Sequence, residues 1–154
     1  MRRRFTFGNY QKTKCKEEAR LFGSVVCLTL LVMVIGWFAL SPAAWSSLVL
    51  MLVLAPCANA FSRLWNAAFD LHKPGQIGRI LFALHSVGLI VSIVSGLALY
   101  CTPIWLLWKQ RWVACILLLV VIALYMKMAQ AANSRLSLVL NQVSSPKLFP
   151  QIFD

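Results

Sequence analysis

The amino-acid sequence predicts an all-α fold, an integral membrane bundle of four transmembrane helices. Of its 154 residues, 60% are apolar and 12% are charged, whereas soluble domains have roughly 45–50% and about 25%. A chain with so few polar residues cannot cover a water-facing surface, so its composition indicates the bilayer as its solvent. Four apolar stretches are long enough to cross a membrane, at about residues 21–40, 43–61, 80–100 and 112–128.

The first span, at about residues 21–40, contains no charged residue. At ~1.5 Å per residue, a helix of this length covers the ~30 Å hydrocarbon layer. The stretch exceeds the roughly 7–15 apolar residues of a signal peptide, so an uncleaved helix is expected. Ser41-Pro42 then breaks the helix, because proline lacks an amide donor and disfavours helical geometry in the preceding residue.

The second span begins near Ala43, so its junction with the first suits a tight antiparallel hairpin. Pro56 is expected to kink it. After Phe61, polar residues recur at steps of three and four and predict an amphipathic extension at the interface, as far as His72. Lys73-Pro74-Gly75 is expected to end this helix. The polar residues of the extension are Arg63, Asn66, Asp70 and Lys73.

Between the third and fourth spans, residues 101–111 are predicted to form an outer loop. Trp105, Trp108 and Trp112 cluster there. Amphipathic indole rings suit the headgroup layer, so an interfacial belt is expected, with a recognition surface as the alternative. After the fourth span, mixed polar and apolar residues predict a second amphipathic extension, ending before Ser144.

The distribution of cations predicts that both chain ends are cytoplasmic. Thirteen Lys and Arg fall on the side of the termini, and only Lys109 and Arg111 fall in the outer loops. This positive-inside bias also argues against a dual-topology protein. The chain thus divides into a basic cytoplasmic segment 1–20, a transmembrane domain 21–128 and a cytoplasmic segment 129–154.

The basic N-terminal segment is expected to contact lipid headgroups or an acidic partner. Cations beside a helix end hold that end at the anionic cytoplasmic leaflet. An excess of Lys and Arg can also indicate nucleic-acid binding. Because these cations lie directly ahead of an apolar span, binding to the membrane surface is favoured. The residues are Arg2, Arg3, Arg4, Lys12, Lys14, Lys16 and Arg20.

Span three carries small residues at steps of four, Gly88, Ser92 and Gly96. They share one helix face and let another backbone approach closely, so they form the predicted helix-packing face, with His85 at its border. The spacing does not distinguish packing within the bundle from packing against another protein. His85 is expected to make an interhelical hydrogen bond. A proton relay or a metal or haem ligand is the alternative, although one histidine is too few for a protein-only metal site.

No residue pattern indicates a catalytic group, a metal or a cofactor. No charged residue falls in the middle of a predicted span, whereas proton-coupled transporters usually need an intramembrane carboxylate or ion pair. No nucleophile elbow, paired carboxylates or metal-spaced ligands occur, and Gly75-x-x-Gly78 is expected to be a flexible turn. The cysteines form no C-x-x-C pair and are expected to be small hydrophobes; they are Cys15, Cys27, Cys57, Cys101 and Cys115.

These features predict a non-enzymatic multi-pass protein of the bacterial inner membrane. It is expected to act through helix–helix contacts, as an accessory subunit of a membrane assembly such as a secretion or conjugation apparatus. Its expected partners are the lipid bilayer and other membrane subunits or further copies of itself. The alternatives are an immunity or exclusion protein against a pore-forming toxin, a small channel or transporter subunit, and an enzyme that uses His85.

Overall fold

The computed structural model describes residues 7–71 and 79–144. These residues form five α-helices and one π-helical segment, so the predicted all-α fold is confirmed. The π-helical segment joins α2 to α3 without a break, and the two form one long helix, Pro42–Leu71. The elements are α1 (Phe7–Ala39), α2 (Pro42–Leu52), the π-helical segment (Val53–Cys57), α3 (Ala58–Leu71), α4 (Arg79–Trp108) and α5 (Trp112–Ser144).

Four helices in the described ranges are long and apolar enough to cross a membrane, in agreement with the predicted number of spans. They are Asn9–Ala39, Pro42–Leu71, Ala83–Trp108 and Trp112–Asn141. Each is longer than the span predicted for it. Three of the helices continue into polar sequence, whereas Ala83–Trp108 continues through the mostly apolar residues 101–108. The chain is therefore a candidate multi-pass membrane protein.

The hairpin between α1 and α2 follows from Ser41 and Pro42. Ser41 has an extended backbone (φ −65°, ψ 154°), and Pro42 is the first residue of α2, where its missing N–H group costs no helical hydrogen bond. The Trp45 indole N–H donates to the Met33 carbonyl oxygen at 3.0 Å. This bond holds the start of α2 against the end of α1.

The turn between α4 and α5 is shorter than the predicted loop 101–111. Helix α4 continues through Pro103 to Trp108, because Leu106 is fully buried in the core and ties this part of the chain to it. Gln110 has a φ of 52°, and the N–H groups of Gln110 and Arg111 donate to the carbonyl oxygens of Leu107 and Leu106 at 2.9 and 3.0 Å. This pair of bonds is a Schellman motif with glutamine at the left-handed position.

Helix α1 packs against α3 and α5, and α4 packs against the same two helices. Two groups of buried side chains fill the centre. One contains Leu48, Leu52, Leu106 and Leu118; the other contains Val25, Ala55, Leu99 and Tyr125. The π-helical segment surrounds Pro56, so the predicted disturbance of the second span takes the form of a widened turn.

The two ends of the bundle carry polar interactions between helices. At one end, Arg111 Nη1 donates to the Ala43 carbonyl oxygen at 2.5 Å. At the other, Arg63 of α3 pairs with Glu18 of α1. Twenty residues separate Ala43 from Arg63 along one helix, which at ~1.5 Å per residue corresponds to about 30 Å. This spacing equals the thickness of the hydrocarbon layer.

Candidate functional site

The carboxylate of Glu18 forms the most buried ion pair of the described residues. Arg63 donates to it twice, from Nε at 2.9 Å and from Nη2 at 2.8 Å. The Glu18 side chain is 5% exposed and that of Arg63 is 24% exposed. Two parallel N–H···O bonds fix both side chains in one geometry. The pair therefore joins α1 to α3.

The carboxylate of Glu17, the neighbouring residue, accepts hydrogen bonds from two further arginines. Arg20 Nη1 donates to Glu17 Oε1 at 2.9 Å and Arg135 Nη1 to Oε2 at 3.3 Å. The carboxylate is 11% exposed, whereas the side chains of Arg20 and Arg135 are 59% and 64% exposed. We call Glu17, Glu18, Arg20, Arg63 and Arg135 the ion-pair cluster.

The ion-pair cluster continues into α5. Arg63 Nη2 also donates to Asn133 Oδ1 at 2.9 Å. Arg63 thereby touches α1 and α5 from α3, and three helices meet at one guanidinium. Beyond the cluster, Lys14 and Asp70 form a more exposed pair at 2.8 Å.

A second set of polar contacts lies deeper in the bundle. The Tyr125 hydroxyl donates to Asn59 Oδ1, and Asn59 Nδ2 donates to Ser95 Oγ at 3.4 Å. Ser95 donates in turn to the Ser92 carbonyl oxygen at 3.2 Å. Each of these side chains finds a partner within the bundle, as a polar group in an apolar medium requires. The contacts connect α5, α3 and α4.

The structure places the predicted helix-packing face between α4 and α3. A Cβ atom at Gly88 would lie 2.5 Å from Trp65 Cδ1, and the Ser62 hydroxyl donates to the Gly88 carbonyl oxygen at 3.0 Å. At Gly96 the nearest atom is Asn59 Nδ2, at 3.8 Å. Gly88 thus meets a helix of its own chain.

His85 lies at the same helix pair. Its ring stacks on Phe69, with centroids 4.1 Å apart and the planes at 14°. Its Nδ1 atom is buried and has no hydrogen-bond partner among the described residues. The expected interhelical hydrogen bond is therefore not made by Nδ1 in this part of the chain. No group of three His, Cys, Asp or Glu side chains lies close together in residues 7–71 and 79–144.

The predicted basic residues fall into three groups. Arg2, Arg3 and Arg4 lie outside the described residues. Lys12 and Lys16 are exposed on α1. Lys14 and Arg20 contact the carboxylates of Asp70 and Glu17. Helix α1 begins at Phe7, so the described cations lie on a helix packed against the bundle.

The outer face of α1 carries a second set of small residues. Ala19, Gly23 and Cys27 are exposed and follow one another at steps of four. Apart from the neighbouring backbone of α1 itself, a Cβ atom at Gly23 would meet no atom of residues 7–71 and 79–144 within 4 Å. We call these three residues the open small-residue face.

Sequence reasoning missed the ion-pair cluster and the open small-residue face. Glu17 and Glu18 fall in the predicted cytoplasmic segment 1–20, and Arg63 falls on the predicted interfacial extension. The available signal was the scarcity of acids, since the chain has only four Asp and Glu and two of them are adjacent. For α1, the signal was the same four-residue spacing that drew attention to span three.

No family model, no curated protein and no solved structure matches this chain.

Proposed function

We propose that this protein is a non-enzymatic multi-pass membrane protein that acts by binding a transmembrane helix of another membrane protein. Its role is that of an accessory subunit of an inner-membrane assembly, such as a secretion or conjugation apparatus. The observation that carries the proposal is the open small-residue face of α1, Ala19, Gly23 and Cys27. Both termini face the cytoplasm in this proposal, as the cation count favours.

Lipid tails and apolar side chains are chemically alike, so burying apolar side chains against another helix gains little in a bilayer. Helices in a bilayer therefore associate where small residues let two backbones approach closely and gain packing contacts. Gly88 already meets Trp65 within the chain, whereas among the described residues no atom outside the nearby α1 backbone lies within 4 Å of the Cβ position at Gly23. The α1 face thus offers a close approach that no other described helix uses.

Photo-crosslinking in the native membrane tests this proposal. A photoreactive amino acid replaces Cys27 in one variant and Leu97, exposed on α4, in a control variant. We expect position 27 to capture a defined protein that position 97 does not capture. If position 27 gives only lipid adducts, or both positions capture the same proteins, the proposal fails.

A substitution at Gly23 gives the matched test of the mechanism. Gly23→Leu adds bulk on the exposed side of α1, because its Cβ position has no atom of another described helix within 4 Å. We expect it to abolish the crosslink from position 27, while Gly23→Ala keeps the crosslink. Oxidative disulfide formation at Cys27 shows whether the captured partner is a second copy.

A further inference from the structure

A cleft of about 180 Å³ lies between α1 and α5 beside the ion-pair cluster. Its charged rim consists of Glu17, Arg20 and Arg135. Its wall is mainly apolar and combines residues from the first apolar turns of α1 with the facing turns of α5. The wall residues are Leu21, Ser24, Met128, Ala131 and Ala132.

The rim carries an excess positive charge. One carboxylate, Glu17, is shared by two guanidinium groups, Arg20 and Arg135. The other carboxylates nearby have their own cations, since Glu18 pairs with Arg63 and Asp70 with Lys14. Each arginine has five N–H donors and makes one hydrogen bond to Glu17. Guanidinium groups with free donors bind phosphate well.

The depth of the cleft suits the boundary between headgroups and acyl chains. Leu21 opens the uncharged stretch of α1, directly after Arg20. The ion-pair cluster lies about 30 Å along the bundle from the Arg111 end, the thickness of the hydrocarbon layer. The volume is below the roughly 300–1,000 Å³ of pockets that enclose a whole small molecule. The cleft therefore fits part of a ligand whose remainder lies along the exposed apolar surface.

We propose that this cleft binds an anionic glycerophospholipid. Its phosphate accepts hydrogen bonds from N–H groups of Arg20 and Arg135 other than the Nη1 donors that bind Glu17, and one acyl chain lies over Leu21 and Met128. This site borders the open small-residue face on α1, because Arg20 follows Ala19 and Ser24 follows Gly23, but the lipid proposal does not rest on helix docking there.

Native mass spectrometry of the full-length protein in detergent, titrated with phosphatidylglycerol, tests the site. The double variant Arg20→Gln/Arg135→Gln should weaken binding about 30-fold, which corresponds to about 1 kcal/mol for each removed cation. The control Lys12→Gln/Lys16→Gln removes the same charge from exposed positions of α1 and should bind as the wild type does. Equal losses in the two double variants would show general charge attraction and overturn the proposal.

A second variant tests the cleft without changing its charge. Ala131→Leu fills the wall at an exposed position, so the bundle itself is expected to tolerate it. It should lower phosphatidylglycerol binding, whereas Ala123→Leu, at an exposed position of α5 outside the cleft, should not. Unchanged binding by Ala131→Leu would refute an acyl chain in the cleft. Inorganic phosphate binding as tightly as the lipid would refute a lipid site and indicate a small-anion site.

Discussion

At the scale of single residues, the ion pair between Glu18 and Arg63 is the most consequential contact at the cytoplasmic end of the proposed topology. A carboxylate that is 5% exposed cannot recover its hydration if its partner is removed. The cost of breaking such a pair is therefore dominated by the uncompensated charge that remains. Breaking an exposed ion pair costs much less, because water and salt screen the charge that remains.

Arg63→Gln should therefore destabilise the protein strongly. We expect the free energy of unfolding to fall by about 3–5 kcal/mol, because the Glu18 carboxylate stays buried without a cation. Denaturant titration in detergent micelles, followed by circular dichroism, measures the change. Glu18→Gln/Arg63→Gln should recover part of the loss. As a control, Lys14→Gln removes an exposed pair and should cost about 1 kcal/mol or less; a loss as large as that of Arg63→Gln would contradict this account.

Two glycines of α4 should respond differently to alanine. Gly88→Ala should lower the free energy of unfolding by about 1–3 kcal/mol, because the new Cβ atom overlaps the Trp65 ring. Gly96→Ala meets its nearest neighbour at an ordinary 3.8 Å and should be neutral or stabilising by about 0.5–1 kcal/mol, the helix preference for alanine over glycine. The same unfolding assay compares them, and similar effects at both sites would be inconsistent with the described packing.

At the scale of elements, the turn between α4 and α5 holds a residue other than glycine in an unfavourable backbone conformation. Gln110 adopts a φ of 52°, a left-handed conformation that costs an L-residue about 1–2 kcal/mol. The Schellman bonds and the burial of Leu106 hold it there. Glycine is the usual residue at this position because it has no Cβ atom to clash.

Gln110→Gly should consequently stabilise the protein. We expect a gain of about 1 kcal/mol, reduced by the extra conformational entropy that glycine has in the unfolded chain. Thermal unfolding in detergent, monitored by light scattering or tryptophan fluorescence, measures the gain. Lys109→Gly, one residue earlier, is the control and should give no gain, because glycine there only adds conformational entropy to the unfolded chain. Equal stabilisation by both substitutions would show that the gain does not come from the left-handed conformation of residue 110.

At the scale of the whole molecule, the proposed orientation places the ion-pair cluster in the cytoplasm and the Arg111 turn outside. Cysteine accessibility tests it in a variant whose five native cysteines are replaced by alanine. Lys109→Cys should react with a membrane-impermeant maleimide added to intact cells, because the turn lies outside. Lys12→Cys should react only after the membrane is permeabilised. The reverse pattern, or labelling of both positions in intact cells, would refute the topology.

The helical class and the number of candidate spans could be predicted from the sequence alone, because both depend on long stretches of apolar residues. A stretch without charges must avoid water whatever surrounds it, and Ser41-Pro42 interrupts a helix through local backbone chemistry. Gly88 could likewise be singled out from its spacing to Ser92 and Gly96. Which helix it meets, however, depends on where Trp65 lies in three dimensions.

The tertiary structure decided which polar groups come together. Glu18 and Arg63 are 45 residues apart, and Glu17 and Arg135 are 118 apart, so no local pattern could reveal their pairing. The position where α4 ends also depends on tertiary contacts, because the burial of Leu106 keeps the helix intact beyond Pro103. Composition thus predicts a bilayer environment and a helical secondary structure, whereas contacts between distant helices determine where the ion-pair cluster and the cleft lie.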